Sequence, residues 1–244
     1  MPDYGRLTQQ RLPHTQPAVD PLYPAPPWAL PGARVLKLIY ETDAEPLLTW
    51  LPPKLSRSSP PYAVVVVAHY HKSPIGPFSL ATQGIGCRAG FFIRALSVQA
   101  ITDSPVAMAA LRETWGYPCK LGEVMLEQGD DGVSASIRSS DRPLASLSLQ
   151  EPEPIDGESV RFDPVLNIRS VPSLDEGKAH ELLHMVQIDP EITIKESVRG
   201  RGDAELLASD GKSGWNALPV RGIVSAVYAL IDTELPLARF VVPY

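Results

Sequence analysis

The chain of 244 residues is poor in cysteine, with only Cys87 and Cys119. Two thiols are too few for a disulfide framework, which excludes the small cross-linked secreted class. No run approaches the ~20 consecutive apolar residues of a membrane helix. The first residues, MPDYGRLTQQ, lack the basic and apolar regions of a signal peptide. No basic cluster offsets the net charge of −6, so an electrostatic footprint for nucleic acid or an anionic membrane is missing. Low-complexity tracts and internal repeats are also absent. These absences leave an ordinary globular chain, expected to be cytoplasmic.

Proline is abundant, with 26 residues, and it crowds the start: Pro2, Pro13, Pro17, Pro21, Pro24, Pro26, Pro27 and Pro31. Proline fixes φ and removes a donor, so residues 1–32 are expected to form an extended, non-helical arm. Tyr4, Tyr23 and Trp28 give it apolar side chains to lay on the body or on a neighbouring subunit; fraying is the alternative. Residues 33–244 are expected to form a single domain.

The alternating run at 34–40 reads as a strand. Thr42 and Glu45 have capping-box spacing, predicting a short helix that stops at Pro52 and Pro53. Residues 62–70, YAVVVVAHY, are continuously apolar and β-branched, which predicts a strand buried on both faces. Residues 84–98 add strand with glycine breaks. Ser104 as cap and Pro105 at the first helical position predict a second helix ending at Gly116. Strands follow at 121–126, 133–138, 144–149 and 162–168, with Asp130-Asp131-Gly132 as a hairpin turn between the first two. The tail adds apolar segments at 192–198, 205–208 and 220–242. Many short strands and two short helices, without βαβ alternation, give a mainly-β α+β barrel or sandwich.

Residues 111–122, Leu-Arg-Glu-Thr-Trp-Gly-Tyr-Pro-Cys-Lys-Leu-Gly, resemble the acetoacetate decarboxylase signature, in which Gly-Arg-Glu leads to Tyr-Pro-Lys-Lys-Leu-Gly. Residues 38–43, 50–55 and 218–225 also resemble segments of that family, as does the Leu-Pro at Pro236, in order and at nearly constant spacing from Val35 onward. The resemblance implies a cone-shaped β-barrel with a buried pocket, commonly assembled into homo-oligomers. It also implies that a lysine forms a Schiff base with a β-keto acid, an activation that needs an apolar site and a second cation. That lysine's place holds Cys119, and only the second lysine, Lys120, remains. The family's catalytic arginine falls at Ala33, with Arg34 adjacent, and its two glutamates fall at Val65 and Leu80. Tyr117 belongs to the matched motif as a substrate-binding candidate.

Loss of several charged groups together points to a pocket rebuilt for a hydrophobic β-keto, polyketide-like or polyene substrate. No Schiff base is expected, and a cyclase or dehydratase is the leading reading. An imine on Lys120 and a non-catalytic binding barrel are the alternatives. Neighbouring residues of an extended segment face opposite sides, so Lys120 reaches the pocket only if the strand is re-aimed. Cys119 is a candidate nucleophile or an inert buried thiol. Lys120 is a candidate to stabilise an enolate or carboxylate, or else a solvated cation. His69 and His71 share a face at a strand end, fit for general acid–base work or for a polar surface. Arg34, His71, Gln83 and Lys120 are candidate donors to a substrate carbonyl, and Met185 and Gln187 are placed on the barrel wall. Arg112 and Glu113 are expected to pair and order their helix. His180-Glu-Leu-Leu-His184 matches HExxH, a zinc pattern on a helix, with Ser173 and Glu176 at capping-box spacing before it. The resemblance makes the segment a strand instead, so no metal and no cofactor is expected.

Overall fold

The structure is a computed structural model that describes residues 4–140, 142–208 and 214–244. Its strands are β1 (Trp28–Glu41), β2 (Ser56–Arg57), β3 (Tyr62–Tyr70), β4 (Phe78–Ala89), β5 (Phe92–Thr102), β6 (Cys119–Leu121) and β7 (Glu123–Gly129). They continue with β8 (Gly132–Ser139), β9 (Arg142–Pro154), β10 (Val165–Pro172), β11 (His180–Ile188), β12 (Glu191–Leu206), β13 (Gly222–Leu235) and β14 (Phe240–Pro243). The helices are α1 (Ala44–Trp50) and α2 (Pro105–Trp115). One mixed sheet joins the strands in the order β14-β11-β10-β5-β4-β3-β1-β13-β12-β9-β8-β7, with β2 on β4 and β6 on β5. The fold is mainly β with two helices, as expected. β5, α2 and β6 form one local parallel crossover, which the sequence reading missed. Among the described residues no helix is long and apolar enough to cross a membrane.

Strand parity sets the two faces of the central sheet. Leu36, Leu38 and Tyr40 on β1, with Ala63, Val65 and Val67 on β3, face a core built with Val133, Ile137, Leu147 and Leu149 of β8 and β9. Their alternates Val35, Lys37 and Ile39, with Val64, Val66 and Ala68, face a cavity on the other side. Each large apolar side chain removed from water on the core side stabilises the fold by roughly 1.5–3 kcal/mol before entropy is counted. β3 is thus covered on both faces, as its unbroken apolar run predicts.

Several local expectations are corrected. The N-cap of α1 is Asp43, with no side-chain cap bond, and the Thr42 hydroxyl is buried without a partner. Burial in the strand end keeps Thr42 from turning to the helix. The stretch at 84–98 is really the hairpin of β4 and β5, turned at Gly90 and Phe91. The segments at 192–198 and 205–208 lie largely in one long strand, β12. α2 matches its prediction: the Ser104 hydroxyl accepts from the Ala107 N–H, and Gly116 closes the helix at φ 72°.

Within the N-terminal residues, a single 3₁₀ turn (Gln9–Arg11) interrupts an otherwise irregular path. Tyr4 is exposed, whereas Tyr23 and Trp28 are buried. Trp28 stacks edge-on against Trp115 of α2 with centroids 5.1 Å apart, a geometry worth about 0.5–1.5 kcal/mol beyond burial. The Tyr23 hydroxyl donates to Glu113 at 2.6 Å. This contact replaces the expected Arg112–Glu113 pair. β1 begins at Trp28 and is paired with β13 from its first residue.

Candidate active site

The cavity, about 1130 Å³ of atom-free space with the open solvent at its mouth included, lies between the β1–β3–β4–β5 face, α2, the first residues of β10 and β12, and Ile231, Thr233 and Leu235 of β13. Its walls are chiefly Val35, Ile39, Val64, Val66, Ala68 and Leu80, so the few polar groups on them stand out. A largely apolar pocket with a handful of polar groups is the usual form of a small-molecule site.

At the more buried end stand Tyr117, which is buried, and Tyr70, which is enclosed by its neighbours but keeps some exposed surface. Tyr117 follows the left-handed Gly116, where an added Cβ would lie 2.7 Å from Arg169 Cβ and 2.8 Å from Arg169 Cα. Only glycine satisfies both the conformation and that close approach. The turn is closed by the Tyr117 N–H donating to the Leu111 carbonyl at 3.0 Å, and it sends the ring back into the cavity. Tyr70 extends the inward parity of Val64, Val66 and Ala68, and its ring packs on Phe78 at 4.8 Å. Burial pushes the Tyr70 phenol up to about 12. Burial raises Tyr117 as well; the nearby Tyr70 adds to the rise, and Asn167 works against it. Both groups are therefore neutral O–H donors at neutral pH.

At the half-buried end the wall carries Lys37, Tyr62, Phe162 and Asp163. Lys37 Nζ donates to the Arg161 carbonyl and lies 5.0 Å from the centre of the Phe162 ring. Desolvation lowers the Lys37 pKa, and the Asp163 carboxylate opposes that shift. Tyr62 lies across Gly86, where a Cβ would come within 2.1 Å of the ring.

The structure separates the residues named from sequence. Leu80 and Tyr117 line the cavity. Cys119 is buried in the apolar cluster of Tyr117, Leu80, Phe78 and Leu111, behind the wall that those residues present. Its thiol is pushed up to about 12, chiefly by burial and against the pull of Arg112, so it is no thiolate at neutral pH. Lys120, the next residue on β6, is exposed on the opposite side. Val65 faces the β8–β9 core instead of the cavity, because its parity is the opposite of Val64 and Val66. Gln83 is fully buried there too, donating to the Tyr40 hydroxyl and the Trp215 carbonyl, each at 2.8 Å.

Arg34 is exposed and borders a separate outer groove with Tyr228 and Glu196. His71 lies beyond the end of β3, exposed, with its ring against Gly32. His69 bonds Ser79 at 3.1 Å. Met185 packs with Cys87, Leu55 and Leu166. Gln187 accepts from Arg94 at 2.9 Å and donates to Asp189 at 2.7 Å. The HExxH segment is strand β11. His180 contacts Ser170 and Glu181 pairs with Lys178, and no group of metal-binding residues forms among the described residues.

Lys37, Tyr62, Tyr70 and Asp163 are among the cavity groups that the resemblance did not point to. The signal for the first was present: in the strand at 34–40, Lys37 sits between Val35 and Ile39 on one apolar face.

The family described as "Acetoacetate decarboxylase (ADC)" matches residues 12–244. Acetoacetate decarboxylase of Clostridium acetobutylicum is 23% identical over 238 residues, covering 93% of this chain and 94% of that protein. Acetoacetate decarboxylase of Legionella pneumophila has a similar fold, with a TM-score of 0.87 at 23% identity over 95% of this chain and 94% of the other. The enduracididine biosynthesis enzyme MppR complexed with pyruvate gives a TM-score of 0.81 at 16% identity over 93% and 96% of the two chains.

Proposed function

This chain belongs to the acetoacetate decarboxylase family, and from that premise we propose that it acts on an apolar carbonyl substrate through an enolate instead of an imine. The observation that carries the reading is the pair of neutral phenols, Tyr70 and Tyr117, at the buried end of an apolar cavity. By resemblance Cys119 stands where the family's imine-forming lysine is expected. Its protonated thiol supplies no amine, and Lys120 points away.

Breaking a C–C bond next to a carbonyl needs a sink for the electron pair. In a β-keto acid that pair moves from the carboxylate bond onto the ketone oxygen, carbon dioxide departs, and the enolate is then protonated on carbon. Two O–H donors aimed at the oxygen stabilise the charge as it forms. Each such donor supplies roughly 10²–10³ in rate in a water-poor site. Phenols held neutral suit this role for the same reason that raised-pKa acids do in ketosteroid isomerase. The same donors serve an intramolecular aldol closure, in which an enolate attacks a second carbonyl of a folded substrate. The MppR structure of similar fold holds pyruvate, which supports a carbonyl ligand in this scaffold.

Borohydride trapping with a panel of apolar β-keto and α-keto acids tests the proposal. Turnover without any reduced adduct is expected. A reduced substrate bonded to Lys37 or Lys120, located by peptide mass spectrometry, overturns it.

A further inference from the structure

The half-buried end of the cavity meets an outer groove, and Lys37, Ile39 and Asp163 line both. The groove also carries Arg161 and Arg199, both exposed. Three cations therefore surround the junction against one carboxylate on its wall, Asp163. Glu153 lies opposite Arg199 in the β12–β9 ladder, and no ion pair joins them. Lys37 gives one N–H to the Arg161 carbonyl and rests on the Phe162 ring, which fixes its ammonium at the cavity wall. An ammonium has three donors, so the Arg161 bond leaves others for a ligand. A lysine on an apolar wall is costly to desolvate, and an arriving anion offsets that cost.

We infer that this junction is an anchor for the carboxylate of an amphipathic acid whose apolar part fills the cavity and whose reacting carbonyl lies at the far end. Lys37 stands opposite Val66 in the β1–β3 ladder. Tyr70 is four residues further along β3, or ~13 Å at the rise of a strand. The anchored carboxylate and the carbonyl at Tyr70 and Tyr117 are thus separated by most of the cavity's length. In a small β-keto acid such as acetoacetate the two groups are adjacent, and such a molecule cannot reach both ends. The anchored group is consequently not the one that leaves, and the preferred substrate is a longer acid or a ring-bearing one. Arg161 and Arg199 draw it in through the groove, an attraction that salt screens.

The inference rests on the enolate reading for what happens at the far end, but binding at the junction is measured separately. Octanoate and octan-1-ol, equal in chain length, are titrated calorimetrically into the wild-type protein and into Lys37→Met and Lys37→Arg. Wild type is expected to prefer the acid about ten- to a hundred-fold, the range of a charge-assisted hydrogen bond. The preference shrinks as salt is raised, disappears in Lys37→Met, and persists in part in Lys37→Arg. Circular dichroism and an unchanged affinity for octan-1-ol show that Lys37→Met is folded with its cavity intact. Equal affinity for acid and alcohol in wild type overturns the anchor, as does an undiminished preference in Lys37→Met. A Tyr70→Phe/Tyr117→Phe protein that keeps full turnover defeats the enolate reading alone, since the acid preference is read without catalysis.

Discussion

Tyr70→Phe and Tyr117→Phe remove one hydroxyl each while leaving the rings that pack the buried end. Among the described residues the Tyr70 hydroxyl has no hydrogen bond to the protein, and burial is the whole cause of its raised pKa. Deleting it therefore forfeits no protein contact, and Tyr70→Phe is expected to be neutral or slightly stabilising, within about 0.5 kcal/mol. Turnover behaves otherwise. Each substitution should lower kcat by roughly 10²–10³, the effect of one oxyanion donor. The double variant should lose less than the product of the two, because both donors serve one oxygen. KM should change little, since the hydrogen bonds strengthen mainly as charge develops. The assay is carbon dioxide release from an apolar β-keto acid that the wild-type protein turns over, run beside denaturant melts of each variant. A kcat within about threefold of wild type in both single variants refutes the reasoning, because it leaves the electron pair with no sink at this end of the cavity.

The remaining predictions concern stability and the residues outside the site. Tyr70, Cys87 and Cys119 are each raised to about 12 when folded. A raised folded pKa leaves stability intact below the unfolded value, near 9 for the thiols and 10 for the phenol, and removes it as pH climbs toward 12. Denaturant melts at stepped alkaline pH should show that loss, and Cys87→Ala/Cys119→Ala should make it shallower; an unchanged slope contradicts the burial argument. Lys120→Ala, at an exposed position of β6, should keep activity within about twofold and stability within about 0.5 kcal/mol, checked by kinetics and thermal melting. Gly86→Ala forces the Tyr62 ring off the strand and should cost roughly 1–3 kcal/mol, measurable as a lower Tm.

Element types were readable wherever one local rule decided them. Ser104, Pro105 and Gly116 delimit α2 by capping chemistry alone, and the β-branched run at 62–70 leaves no alternative to a strand. Thr42 misled because its spacing fits a cap while its burial, a tertiary fact, forbids the turn. The site was less legible for a related reason. Position-by-position comparison directs attention to where charged groups are expected, at Val65 and Leu80, and parity then places the two on opposite faces of the sheet. Gln83 looks like a ligand-binding amide in sequence, yet Tyr40 and Trp215 lie beside it only after the chain has folded. Lys37 and Tyr70 were within reach of simple alternation. Asp163 was not, because the sequence reads 162–168 as one strand, whereas β10 begins only at Val165 and leaves Asp163 in the loop before it.

β1 lies between β3 and β13 in the sheet, although β3 follows it closely in sequence and β13 is nearly the last strand. During synthesis one edge of β1 is paired early, and the other waits for almost the whole chain. At ~5–20 residues per second the wait lasts roughly ten to forty seconds. Throughout that interval a long strand carrying Leu36, Leu38 and Tyr40 presents unpaired backbone groups, the condition that favours pairing with another chain. Products that end before Gly222 never close that edge. They are the form of this protein expected to aggregate first, and one wall of the cavity is completed only when the final segment arrives.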